Sequence, residues 1–90
     1  MYIYIGDTEI IAYDTIVAIV EKELFHSSNK LRLLIEDHRK RNRVFGSFQD
    51  AKSIIITTDS VYYSSLATVT LKNRDELFEE MEESYGIKFE

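Results

Sequence analysis

Four cations fall within five residues at Arg39-Lys40-Arg41-Asn42-Arg43, and Lys52 follows a short way along the chain. Clustered guanidinium groups attract phosphate because each is planar and donates two parallel hydrogen bonds to oxygen. The cluster also has an ordinary reading: a solvated helix end favoured by the helix dipole, or a partner for acidic residues further along. The sequence leaves both open. The other reactive residue types are poorly arranged for chemistry. His26 and His38 are the only histidines, and neither stands at metal-ligand spacing to the other or to a carboxylate pair. His38 falls on an apolar stripe and reads as a packed histidine. His26 adjoins Ser27 and Ser28, but adjacency is not the geometry of a Ser–His pair, and no nucleophile elbow accompanies it. The glutamates between Glu76 and Glu83 distribute around the solvent face of a helix. Gly6, Gly46 and Gly86 stand apart from one another, so no phosphate-cradling loop exists. Cysteine is absent, which excludes thiolate catalysis, disulfides and cysteine-ligated zinc. We expect neither an enzyme nor a metal or cofactor protein.

Charge sharpens the partner question. The net charge of −5 disfavours a protein that coats nucleic acid indiscriminately. The average hides a pattern. Lys30, Arg32, Arg39, Lys40, Arg41, Arg43 and Lys52 face only Glu36, Asp37 and Asp50 in the middle of the chain, whereas Asp75 to Glu83 is acidic without a compensating base. A basic middle and an acidic end still allow one positive face.

The elements that must position these groups fit one domain of 90 residues, with 44% hydrophobic residues. A chain of this size buries only about two-thirds of its unfolded surface, so self-association is a natural source of further stability. No apolar run reaches the roughly 18 residues of a membrane span, and Met1-Tyr2-Ile3-Tyr4 lacks the basic start of a secretory signal. The expected location is the cytoplasm, without membrane contact.

Tyr2 to Ile5 alternates tyrosine with isoleucine, which predicts a strand with no polar face. Both faces should then be covered, one by another subunit, making Tyr2, Ile3, Tyr4 and Ile5 candidate interface residues. Gly6-Asp7-Thr8 supplies a turn, and Glu9 to Tyr13 the return strand of a hairpin. Thr15 to Val20 is too short to separate strand from buried helix, though its β-branched residues favour strand. Ser27 and Ser28 offer an N-cap for a helix running to about Arg41 with a stripe of Leu31, Leu34, Ile35 and His38. Asn42 suits the helix end, and Phe45-Gly46-Ser47 reads as a loop. Ser53 to Thr58 is a buried strand, Asp59 a tight turn, and Val61 to Ser64 the antiparallel return. Residues 66–74 are ambiguous between strand and helix. Arg74 to Tyr85 reads as a charged helix with Leu77, Phe78 and Met81 on one stripe, ended by Gly86. The six tyrosines serve core or interface packing more readily than base stacking, since Tyr62 and Tyr63 point to opposite faces of their strand. The fold class is α+β: a small, mostly antiparallel sheet with one central helix and a C-terminal helical extension over residues 75–90.

Several of these segments together resemble the RemA/RemB-type regulators of extracellular-matrix and biofilm formation, with the likeness strongest towards RemB. The opening Met1-Tyr2-Ile3-Tyr4-Ile5-Gly6-Asp7 is similar to the family's start, and Ile16-Val17-Ala18-Ile19 to its apolar third segment. Lys52-Ser53-Ile54-Ile55-Ile56-Thr57, leading through Val61-Tyr62-Tyr63-Ser64 to Thr70-Leu71-Lys72-Asn73-Arg74, is the strongest match. Ile35-Glu36-Asp37-His38-Arg39-Lys40-Arg41 looks like the family helix. The resemblance covers residues 1 to 74. It implies a LytTR-like subunit that assembles into a ring, and a transcriptional role, because RemA-type members bind DNA upstream of matrix operons and activate them. RemA-type members carry an arginine pair just before the Lys52-like position and another arginine before the apolar third segment. Gln49 and Asp50 occupy the pair here and Thr15 the other, and an aspartate repels phosphate. The resemblance therefore implies two alternatives. One is an oligomeric regulator of matrix-gene transcription that contacts DNA through Arg39, Lys40, Arg41, Arg43 and Lys52. The other is an oligomeric interaction module without DNA affinity, acting through a protein partner or a basic paralogue.

Overall fold

Ser53-Ile54-Ile55-Ile56-Thr57 carries apolar residues in succession because it is covered on both faces. In the computed structural model, which describes residues 1–6 and 9–71, this segment is strand β5 (Ser53–Thr57), preceded by β1 (Tyr2–Gly6), β2 (Glu9–Ala12), β3 (Ile16–Glu21), the single-turn α1 (Leu24–Ser27), α2 (Asn29–Lys40) and β4 (Val44–Phe45). Strand β6 (Val61–Ser64) follows. The main sheet has the order β3-β5-β6-β4, and β1 and β2 form a separate antiparallel hairpin. Successive strand residues point to opposite faces. Ile54 thus joins Leu31 and Ile35 of α2, with Ala51, Val61 and Tyr63, in one core. Its neighbour Ile55 joins Ile3, Ile5 and Ile11 of the hairpin, with Leu71, in the other. The sheet is a middle layer between helix and hairpin. Each isoleucine fully buried in this way contributes about 1.5–3 kcal/mol.

Buried hydroxyls tie the layers together. The Ser64 hydroxyl donates to the Ile5 carbonyl across the gap between sheet and hairpin, and accepts from the Leu66 N–H at 3.1 Å. Ser53 donates to the Leu66 carbonyl. In the β5–β6 turn, Thr57 Oγ1 donates to the Ser60 carbonyl and accepts from its N–H, both at 3.0 Å. These serines and Thr57 are buried, so each bond satisfies a group that water cannot reach.

Both ends of α2 follow from side-chain chemistry. Ser28 caps it, its hydroxyl accepting from the Leu31 N–H at 3.1 Å. Of the two serines offered by the sequence, Ser27 instead ends α1, a turn the sequence did not announce. At the other end Asn42 takes φ +58°, the left-handed conformation asparagine tolerates better than most residues. The Arg43 N–H then donates to the His38 carbonyl at 2.9 Å and the Asn42 N–H to the Arg39 carbonyl at 3.0 Å. This is the paired bonding of a Schellman helix end.

Two expectations need correction. Phe45 is not in a loop: it follows Val44 into β4, which runs parallel to β6, with Val44 opposite Val61 and Phe45 opposite Tyr62. The hairpin's return strand stops at Ala12, because Tyr13–Thr15 forms a 3-10 turn in which Thr15 Oγ1 donates to the Ala12 carbonyl at 2.6 Å. Residues 68–71 are helical. The sequence left this stretch open between strand and helix; Leu71 is buried in the hairpin-side core, and tertiary burial outweighs the propensity of its β-branched residues. The expected turn at Asp7-Thr8 and the expected helix over Arg74–Tyr85 lie outside the described residues.

Candidate anion-binding site and assembly surface

Helix α2 and its Schellman turn bring Arg39, Lys40, Arg41 and Arg43 to one end of the molecule. Three of the four meet carboxylates. The Arg39 Nε lies 4.0 Å from Glu36, the Arg41 guanidinium 2.6 Å from Asp37, and the Arg43 guanidinium 3.1 Å from Asp59. Arg43 also donates to the Ser60 hydroxyl at 2.7 Å and lies 5.6 Å from the centre of the Phe45 ring. Lys40 has no ion-pair partner among the described residues. The arginine side chains keep exposures of 57%, 57% and 43%. Exposed ion pairs of this kind contribute about 0–1 kcal/mol, so a phosphate can compete for these guanidiniums.

Arg39 reaches inward as well, donating to the Tyr63 hydroxyl at 3.3 Å. Burial pushes the Tyr63 phenol above its ordinary pKa of 10.0, while the charge and hydrogen bond of Arg39 pull the other way without cancelling the shift. Tyr63, Asp59 and Ser60 were not among the candidate site residues named from the sequence. Their contact with the helix end depends on the parallel β4–β6 pairing, for which two residues of strand gave no periodic signal.

Lys52 does not join the cluster. It precedes β5, its N–H donating to the Ser64 carbonyl at 2.7 Å, whereas Arg43 sits at the Asp59–Ser60 turn. Since Ser53 pairs with Ser64 and Ile56 with Val61, the two cations lie at opposite ends of the hairpin, separated by about four residues of strand at ~3.3 Å each. The nearer neighbour of Lys52 is Lys22, whose N–H donates to the Lys52 carbonyl at 3.1 Å. The Lys22 ammonium stands 4.6 Å from the Phe48 ring centre and donates to the Gln49 carbonyl at 3.3 Å. Gln49 and Asp50 are exposed on the turn before β5.

The strand proposed for assembly divides its residues between two tasks. Ile3 and Ile5 are 1% and 3% exposed and belong to the chain's own core, so they are corrected out of the interface set. Tyr2 and Tyr4 remain exposed at 61% and 46%, joined by Ile10 at 47%. Tyr4 is opposite Ile10 and Tyr2 opposite Ala12, so these residues form the outer face of the hairpin. Ile10 was missed because its neighbour Ile11, which is buried, is equally apolar.

The histidines and serines hold structural positions. His38 is buried with Nδ1 2.8 Å from the Leu34 carbonyl. His26 lies against the rings of Phe25 and Phe48, and the Ser27 hydroxyl donates to the Leu24 carbonyl at 3.4 Å. Among the described residues there is no group of three potential metal ligands, and no helix long and apolar enough to cross a membrane.

Comparison with known proteins places these features in a family. The family model described as RemA-like, extracellular matrix regulatory protein A-like, matches residues 2–74. The extracellular matrix regulatory protein B of Bacillus subtilis (strain 168) is 31% identical over 85 residues, covering 91% of this chain and 99% of that protein. The match spans both the helix-end cations and the hairpin, and the chain belongs to the RemA-like family of extracellular matrix regulatory proteins.

Proposed function

We propose that this protein is a non-enzymatic cytoplasmic regulator of extracellular-matrix gene transcription that self-associates through the outer face of the β1–β2 hairpin and contacts DNA with the end of helix α2. The observation that carries the proposal is the convergence of Arg39, Lys40, Arg41 and Arg43 on one Schellman turn, with each arginine in an exposed ion pair. The exposed Tyr2, Tyr4 and Ile10 supply the apolar area for assembly. A ring would repeat a modest cationic patch many times, and multivalency raises avidity without new contacts. The test is DNA retention by the purified protein at two salt concentrations, with its mass in solution measured in parallel. An oligomer whose affinity falls steeply with salt supports the proposal. A monomer silent towards DNA refutes it.

A second reading is favoured by one observation: Gln49 and Asp50 stand on an exposed turn where RemA-type members carry arginines, and Lys52 is remote from the helix end. In this reading the oligomer has no DNA affinity and acts through a protein partner or a basic paralogue. Partner capture without any DNA shift at either salt concentration would select it.

A further inference from the structure

Asp50 does more than depart from the family pattern. With Glu9 it lines a cleft of ≈ 410 Å³ between the hairpin and the β4–β6 edge of the sheet. The cleft also presents Phe45 and Tyr62, whose rings are stacked at 5.2 Å with 26° between planes. Two of its walls are bare backbone. Gly46 has φ +94°, and a Cβ there would lie 2.5 Å from the Tyr63 carbonyl oxygen; Gly6 has φ +127°, and a Cβ there would lie 2.8 Å from the Ser65 hydroxyl. Side chains are excluded at both positions, which keeps the cleft open.

Among the described residues no cation lines this cleft, and neither Glu9 nor Asp50 pairs with one. Phe45 already has the Arg43 guanidinium near its ring, which leaves Tyr62 as the lining ring of this stacked pair without a cation among the described residues. A flat, positively charged group satisfies both features at once. It stacks on a ring and donates to carboxylates in its own plane, which a guanidinium does and a spherical ammonium does less well.

We propose that this cleft receives an arginine side chain presented by a protein partner, with Glu9 and Asp50 accepting its hydrogen bonds and Tyr62 stacking against it. The inference rests on the protein-partner reading and gives that partner a chemistry: an exposed arginine on a surface complementary to an acidic chain. It assigns a role to Asp50 that is opposite in sign to phosphate contact.

The test uses the full-length protein labelled with nitrogen-15 and titrated with N-acetyl-arginine amide, with N-acetyl-citrulline amide as the uncharged probe of matching shape. The expected result is saturable shifts of the Gly6, Gly46, Tyr62 and Ser65 amides with the arginine probe, and none with the citrulline probe. The Glu9→Gln/Asp50→Asn double variant, whose substitutions are exposed and isosteric, should bind the arginine probe at least roughly tenfold more weakly. Equal shifts with citrulline, unchanged affinity in the double variant, or saturation elsewhere on the surface would each overturn the assignment. So would displacement of the arginine probe by magnesium chloride at matched ionic strength, which would mark the cleft as a cation site of another kind. The titration needs no partner, so its failure is separable from failure of the protein-partner reading, which partner capture tests independently.

Discussion

Replacing Arg39, Arg41 and Arg43 together with glutamine removes three of the four cations at the end of α2 while keeping side chains of similar length. Each phosphate neutralised by a bound cation lowers the slope of log affinity against log salt by about 0.9. Four cations per engaged subunit therefore predict a slope near −3.6, and the variant, left with Lys40, a slope near −0.9. Between about 50 and 200 mM salt, the wild-type affinity should fall roughly a hundredfold per subunit engaged, and that of the variant only about three- to fourfold. The fold should survive, because the lost ion pairs with Glu36, Asp37 and Asp59 are exposed and contribute about 0–1 kcal/mol each. Arg43 costs somewhat more, since its bond to Ser60 is also lost. Fluorescence anisotropy with a labelled duplex across a salt series measures the slope, and urea unfolding checks the fold. An unchanged slope in a folded variant would refute the helix end as the DNA-contacting surface, whatever the affinity.

Other perturbations probe the remaining links. Ser64→Ala strands two backbone groups, the Ile5 carbonyl and the Leu66 N–H; urea denaturation should show a loss of about 2–4 kcal/mol at unchanged m. Tyr4→Ser with Ile10→Ser alters exposed positions and should change monomer stability by only about 0.5 kcal/mol, while light scattering should show the mass falling towards one subunit. Ile3→Ala, on the opposite face of the same strand, should cost about 2–5 kcal/mol instead. For Tyr63, the folded state favours the neutral phenol, so its contribution is fully present below pH 10.0 and lost as pH rises from there through the raised folded value. Stability measured against pH should therefore fall less steeply above pH 10.0 in Tyr63→Phe than in wild type, and a parallel fall in both would remove Tyr63 from the account.

Local chemistry made much of this fold legible. Ser28, Asn42 and the run through Ile54–Ile56 each fix their own neighbourhood, so cap, helix end and buried strand could be read before any contact was known. Groups whose roles depend on distant pairing could not. The alternation of Tyr2-Ile3-Tyr4-Ile5 announced two apolar faces but not which one the chain would bury itself. That choice rests on Ile55 and Leu71, which are far away in sequence. The basic run was visible, but its carboxylate partner Asp59 follows from the parallel docking of a two-residue strand, and the separation of Lys52 from the antiparallel register of β5 and β6. Thr15 shows the reverse: a residue read from the sequence as the start of a β-branched run proves to close a turn through Ala12.

The middle position of the β3-β5-β6-β4 sheet has a consequence for regulation. The hairpin's outer tyrosines and helix α2 occupy layers on opposite sides of that sheet, so subunits joined through the hairpin would not cover the helix ends. Assembly and ligand capture would then be sterically independent. Protein concentration would set how many cationic ends act together, while the intrinsic strength of each end stays the same, and the response of a target would grade with copy number through valence alone.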